Sequence, residues 1–348
     1  MSPYVTMILI SSLGLGTTIT FTSSSWLMAW MGLEINTLAI TPLMVKQHHP
    51  RATEATTKYF LTQATASGLL LFATLNNAWM TGEWNTMELS NNLSAPMITM
   101  ALALKMGVAP MHFWLPEVLQ GLPLLTGLIL STWQKLAPFT LLYMTSHELN
   151  TTTMTILGLT STIIGGLGGL NQTQLRKVLA YSSIAHLGWM VIIIQYSKTL
   201  ALLNLLLYIT MTSTAFLTLM TLSATKINTL STKWATTPIA TMTAMLALLA
   251  LGGLPPLTGF MPKWLILQEL TKQNLPALAT LMALSALLSL FFYLRMCHTM
   301  TLTISPNTNN NMITWRKKPG QKALPLAMLS IMTLMALPTT PTMVAIMN

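Results

Sequence analysis

Aspartate is absent from these 348 residues, cysteine occurs once, and only seven glutamates supply negative charge. Charged residues make up 7% of the chain, against about 25% in ordinary soluble domains, which excludes a conventional water-solvated surface. The lone Cys297 can neither close an internal disulfide nor hold a metal cluster, and an iron–sulfur site of four cysteines within the chain is excluded with it. A dinucleotide fingerprint is missing too. Gly165-Gly166-Leu167-Gly168-Gly169 fits neither GxGxxG nor a P-loop and reads instead as close helix packing.

What is present is apolar. Hydrophobic residues account for 52% of positions, with a mean hydropathy of +0.60, so the chain reads as an all-α polytopic membrane protein. Runs of about 20 apolar residues, the length that spans a bilayer core, fall near 3–21, 24–45, 56–78, 95–119, 123–144, 149–170, 175–196, 200–222, 239–270, 275–299 and 325–346. Eleven spans place the termini on opposite sides. Lys46, Arg51, Arg176, Lys177, Lys226, Lys233, Arg316, Lys317, Lys318 and Lys322 fall on the N-terminal side, whereas the other side holds Lys198 and Lys272 among glutamates. By the positive-inside tendency the N-terminus faces the cytoplasm or the mitochondrial matrix. The net charge of +10 is therefore a topology signal rather than a nucleic-acid footprint, and its basic face suits anionic lipid headgroups. Twenty-eight methionines, abundant threonine and the missing aspartate fit mitochondrial encoding, and Met1-Ser2-Pro3 leads into the first span without a cleavable targeting segment. The triplets starting at Asn92 and Asn150 match the glycosylation pattern, but such triplets arise easily in a Thr- and Asn-rich chain.

Two spans carry backbone breakers near their middles. Gly107, Pro110 and Pro116 interrupt 95–119, and Gly252-Gly253-Leu254-Pro255-Pro256 with Gly259 and Pro262 interrupts 239–270. Proline removes a helical hydrogen bond, so both are expected to be discontinuous helices. Each is the fourth span in a run of five. The expected organisation is a single membrane domain with a first five-helix repeat over 1–145, a second, inverted repeat over 149–300, and an additional C-terminal helix over 325–346, an arrangement common in transporters.

Four ionisable residues lie inside these apolar segments: Glu34, Lys105, Lys135 and Lys263. At about 1.5 Å per residue, the first three sit roughly 15–18 Å into their spans, near the centre of a ~30 Å hydrocarbon core. Such placement costs at least roughly 2.5–3.5 kcal/mol and usually marks an ion or proton pathway. Removal from water disfavours the charged form of an amine, so a buried lysine can exchange its proton near neutrality. A carboxylate ~7 Å away, at an effective dielectric of ~20, opposes this by about 2.4 kcal/mol, which makes Glu34 and Lys105 a candidate switch. His112, beside Pro110, and His186, following Ser182-Ser183, are secondary relay candidates. Glu54 and Lys58, spaced i,i+4, read as a structural ion pair. His48 and His49 lack a second cluster of ligands for a metal site.

Four strings carry a resemblance: Pro50-Arg51-Ala52-Thr53-Glu54-Ala55 leading to Lys58-Tyr59-Phe60-Leu61-Thr62-Gln63; Met111-His112-Phe113-Trp114-Leu115-Pro116-Glu117; Gly169-Leu170-Asn171-Gln172-Thr173-Gln174; and Gly252 through Trp264. The chain resembles the subunit 2 family of mitochondrially encoded, antiporter-like subunits of respiratory complex I, NADH:ubiquinone oxidoreductase, along its whole length. That resemblance implies a fold of fourteen helices shortened by three. It also implies a proton relay with Glu34 as the family glutamate, Lys105 on the first broken helix, Lys135 as the central lysine and Lys263 as the distal group. Electron transfer from NADH to ubiquinone would occur elsewhere in the complex, with NADH, FMN, iron–sulfur clusters and ubiquinone held by other parts. No cofactor is expected in this chain. The implied partners are neighbouring antiporter-like and small membrane-arm subunits and membrane lipids, cardiolipin among them. The implied location is the mitochondrial inner membrane, with the N-terminus in the matrix and the C-terminus in the intermembrane space. The residues alone leave two other readings open, a free-standing cation/proton antiporter and a purely structural membrane subunit.

Overall fold

A computed structural model of the chain describes residues 2–46, 48–89, 93–235, 237–302 and 323–347. Apart from two isolated bridges, regular structure among these residues is helical. The helices are α1 (Pro3–Thr22), α2 (Trp26–Met44), α3 (Pro50–Thr81), α4 (Ser94–Met106), α5 (Trp114–Gly121), α6 (Leu124–Ser131), α7 (Trp133–Thr145) and α8 (Thr151–Gly169). They continue with α9 (Leu175–Ile193), α10 (Lys198–Leu222), α11 (Ile227–Thr232), α12 (Pro238–Gly252), α13 (Phe260–Lys272), α14 (Pro276–Leu302), α15 (Ala323–Met335) and α16 (Thr340–Met347). Arg316, Lys317, Lys318, Lys322 and Asn92 lie outside the described residues.

Helix is the expected solution for a chain in lipid, because it satisfies backbone polar groups within the segment. Threonine is tolerated in these helices because its hydroxyl donates to a carbonyl three or four residues back. Thr17 to Gly14 and Thr74 to Leu71 at 2.8 and 2.9 Å are examples. Among the described residues four helices, α1, α2, α10 and α14, are long and apolar enough to cross a membrane by length and composition, and the bent pair α15 and α16 makes a fifth if it counts as one span.

The chain forms two compact units, Met1–Ser161 and Thr162–Asn348, with the boundary inside α8. In the first, α2 packs on α1 and α3, α3 packs on α4 and α5, and α7 packs on α1, α2 and α4. In the second, α10 packs on α9, α12, α13 and α15, and α14 packs on α12 and α13. The glycine cluster at the start of this unit does serve close packing. A Cβ on Gly165 would lie 2.6 Å from the Ala185 nitrogen, and one on Gly169 would lie 2.7 Å from the Phe292 ring.

Both expected interruptions are present, between α4 and α5 and between α12 and α13. Two segments differ from expectation. The stretch 123–144 divides at Thr132 into α6 and α7, and Pro138 in α7 cannot donate a hydrogen bond to the Gln134 carbonyl. The segment 325–346 is not one straight helix, because α15 and α16 meet at 94°. Pro338 in the connection disfavours helical geometry at Leu337 and has no N–H of its own.

Candidate functional site

Gly107 ends α4 with φ of +75°, a left-handed conformation that costs glycine little. Its N–H donates to the Leu104 carbonyl at 3.1 Å and that of Val108 to Ala103 at 2.9 Å, the paired bonds of a Schellman cap. Trp114 Nε1, from the first residue of α5, also donates to Leu104 at 3.1 Å. The Met106 carbonyl is left for a side chain, and Lys135 Nζ donates to it. An ammonium at the carbonyl end of a helix is favoured by the helix dipole as well as by the hydrogen bond. Lys135 Nζ also lies 5.4 Å from the centroid of the Trp114 ring, within cation–π range.

Lys105 occupies the last turn of α4 and is 5% exposed, and Lys135 near the start of α7 is 1% exposed. Both line one cavity, with about 20 Å³ accessible to the centre of a water molecule, enough to hold water. Glu34, in the middle of α2, acts on Lys105 through its field. Neither Glu34 Oε2 nor Lys105 Nζ has a hydrogen-bond partner, so the two attract without touching. The two therefore do not form a closed ion pair.

The second break repeats the local device. Gly253 ends α12 with φ of +82°, its N–H bonds Ala250 at 3.0 Å, and Leu254 N–H bonds Leu249 at 3.4 Å. Lys263, in the first turn of α13 and half-buried, donates from Nζ to the Gly252 carbonyl at 2.9 Å. His186 on α9 hydrogen-bonds the Leu251 carbonyl and lies within the field of Lys263. Its ring is 5.6 Å from that of Tyr208. His112, in the first break, is buried against Phe113, with ring centroids 4.4 Å apart. It does not line the cavity of Lys105 and Lys135.

Other ion pairs lie away from these groups. Lys58 meets Glu54 at 2.7 Å, as the i,i+4 spacing implies, and also Glu117 at 2.8 Å, which ties α3 to α5. Among the described residues no three His, Cys or Glu side chains converge as metal ligands would.

Residues 23–289 match the family described as NADH:quinone oxidoreductase/Mrp antiporter, and residues 290–344 match the NADH dehydrogenase subunit 2 C-terminus. The NADH-ubiquinone oxidoreductase chain 2 of Carassius auratus is 67% identical over 98% of both chains, and that of Salmo salar is 62% identical over 100% of both. The chain belongs to the NADH-ubiquinone oxidoreductase chain 2 family. A chain of respiratory complex I from Thermus thermophilus superposes with a TM-score of 0.87 at 24% identity, covering 99% of this chain and 80% of its own length. A chain of the Mrp complex from Dietzia gives 0.85 at 16% identity, covering 97% and 76%. At such identities these two matches establish the shared antiporter-like fold.

In this member of the chain 2 family the cavity also exposes residues that charge counting passes over. Asn36, Gln63 and Gln134 line it with Tyr59 and Trp114. Tyr59 feels the field of Glu34 and packs edge-on against Trp114 at 5.7 Å. A usable sequence signal existed: an amide near mid-span is costly unless partnered, just as a charge is.

Proposed function

We propose that this chain is an antiporter-like membrane-arm subunit of respiratory complex I, NADH:ubiquinone oxidoreductase, and that it couples electron transfer elsewhere in the complex to proton translocation. NADH, FMN, iron–sulfur clusters and ubiquinone belong to other parts of that complex, and this chain supplies the buried relay. Glu34 modulates Lys105, Lys105 passes a proton through water to Lys135, and Lys263 acts as the distal station, with His112 and His186 as secondary candidates. The observation that carries the reading is the cavity lined by Lys105 and Lys135, two buried lysines with room for water between them. The carbonyl end of α4 gives the arriving positive charge on Lys135 a fixed acceptor.

The fuller architecture belongs to the same reading. Eleven spans form two inverted five-helix repeats and one further segment, in the mitochondrial inner membrane, with the N-terminus in the matrix and the C-terminus in the intermembrane space. Neighbouring antiporter-like and small membrane subunits flank it, with lipid, including cardiolipin, at its basic margin. The matching caps at Gly107 and Gly253 support the repeat.

Lys135→Met in reconstituted complex tests the function. Quinone reductase turnover should fall at least about tenfold, equivalent to roughly 1.4 kcal/mol on the limiting barrier, and protons moved per NADH should decrease. Wild-type turnover with unchanged stoichiometry would show that Lys135 is not required for coupling.

A further inference from the structure

Three carboxamides converge on the cavity between Lys105 and Lys135: Asn36 from α2, Gln63 from α3 and Gln134 from α7. Asn36 is 2% exposed and Gln63 3%. Gln134 Nε2 donates to the Asn36 backbone carbonyl at 3.4 Å, which ties α7 to α2 at this level. Both amide atoms of Asn36, Nε2 of Gln63 and Nζ of Lys105 have no protein partner. Unpartnered amides are a poor way to fill buried volume, because leucine or methionine occupies similar space without desolvating a donor. Their convergence on a water-sized cavity beside an equally unpartnered ammonium points to a bound ligand that both donates and accepts.

We infer that Asn36 and Gln63 are positioning residues that bind and orient the water through which Lys105 and Lys135 exchange a proton. The inference rests on the relay reading above and adds the groups that make the water competent. Water accepts N–H bonds from Lys105 and Gln63, donates one O–H to the Asn36 amide, and has one O–H left for the Lys135 nitrogen. In the transfer, a Lys105 N–H bond breaks as a bond from that proton to the water oxygen forms. The water O–H facing Lys135 breaks as a new N–H bond forms there. Lys105 is left as the neutral amine, Lys135 as the ammonium, and the water is regenerated. Without the amides the water can rotate, and its free O–H is no longer aimed at Lys135.

Helix α1 supports this placement. A Cβ added to Gly16 would lie 2.5 Å from Asn36 Oδ1 and 2.9 Å from its Cγ, so the glycine leaves room for the amide. The same glycine and Gly32 approach reciprocally, each Cβ position lying 2.9 or 2.8 Å from the other's carbonyl oxygen.

The test uses reconstituted complex carrying Gln63→Leu, Asn36→Leu or Gln63→Asn, with Lys135→Met in parallel. Turnover, protons per NADH and the solvent deuterium isotope effect are measured at equal assembled complex. Each leucine variant should lower turnover about three- to tenfold and raise the isotope effect. Gln63→Asn, which keeps an amide, should recover most of the loss, and a purely structural role would leave the isotope effect unmoved. If Lys135→Met uncouples while both leucine variants pump as wild type with an unchanged isotope effect, the inference is overturned and the relay stands. If Lys135→Met leaves coupling intact, the relay itself fails. A high-resolution map of wild-type complex decides the matter should the leucine variants fail to assemble. Ordered water within hydrogen-bond reach of Asn36, Gln63 and Lys105 supports the assignment, and a dry cavity contradicts it.

Discussion

The two broken helices share a cap and differ in what surrounds it. At each, a glycine of positive φ closes the carbonyl end of a half-helix, and a lysine from the first turn of another helix takes the carbonyl just before that glycine. Lys135 takes that of Met106 and Lys263 that of Gly252. Two residues before the glycine the first break has Lys105, whereas the second has Leu251, whose carbonyl receives His186. The first break thus holds two buried amines, a nearby carboxylate and a water-sized cavity within one compact unit. The second pairs a half-buried lysine with a histidine. The common device is a carbonyl cap for a lysine, and in the proposed relay the added lysine, glutamate and cavity suit the first break to passing a proton within its own unit.

Several changes would break or sharpen that contrast. Lys105→Leu makes the first break resemble the second and has the largest expected effect on function. Turnover coupled to pumping should fall about tenfold or more, while stability changes less than in Lys135→Met, because Lys105 Nζ bonds no protein carbonyl whereas Lys135 Nζ does. Thermal unfolding and proton stoichiometry measured together check this, and Lys135→Met should lower stability by about 1–3 kcal/mol.

Exchanging the cap glycines comes next. Alanine at either position strains a left-handed residue by roughly 1–2 kcal/mol, yet the side effects should differ. A Cβ at Gly253 would lie 2.9 Å from Lys263 Nζ, whereas one at Gly107 would meet the flexible end of Leu115 at 2.9 Å. Gly253→Ala should therefore lower activity by acting on its lysine, and Gly107→Ala should act mainly on stability. Equal activity losses in the two variants would contradict this.

A smaller effect concerns the tether of the second break. Thr258 Oγ1 donates to the Thr333 carbonyl of α15 at 2.6 Å, so Thr258→Val should lower stability by about 1 kcal/mol without changing proton stoichiometry. Smallest of all is an exposed pair between α3 and α4. The protonated Glu83 carboxyl donates a hydrogen bond to Glu88, and that bond and then the Glu88 charge raise the pKa of Glu83. A carboxyl whose folded pKa is raised adds stability that is fully present below its unfolded value, about 4.3, and lost as pH climbs through the folded one. Local hydrogen-exchange protection around Glu83 should therefore decline as pH rises through that window, and Glu83→Gln should flatten the decline.

Much of the fold was legible because lipid leaves the backbone few options. Gly107, Pro110, Gly253 and the two prolines after it announced both breaks, since glycine and proline act on the chain locally. The division at Thr132 was not legible, as no breaker stands there and the nearest proline is Pro138, six residues on. The 94° bend after α15 had a local signal in Pro338, but apolar residues on both sides made 325–346 look continuous. Depth counting identified Lys105 and Lys135 as buried, but it did not reveal that Lys135 bonds a carbonyl 29 residues earlier in the chain. Only packing brings α7 to the end of α4. Asn36 and Gln63 were overlooked because isolated amides look ordinary in a Thr- and Asn-rich chain, and their meaning depends on three helices meeting.

The most direct test of the central claim is a double-mutant cycle on Lys105 and Lys135, with coupled turnover measured for Lys105→Leu, Lys135→Met and the pair in reconstituted complex. If the two lysines handle one proton in sequence, the double variant should be no worse than the more impaired single variant, the strong non-additivity of residues that act as a unit. Losses that multiply would mean that the lysines serve independent steps, and would contradict transfer between them across the cavity.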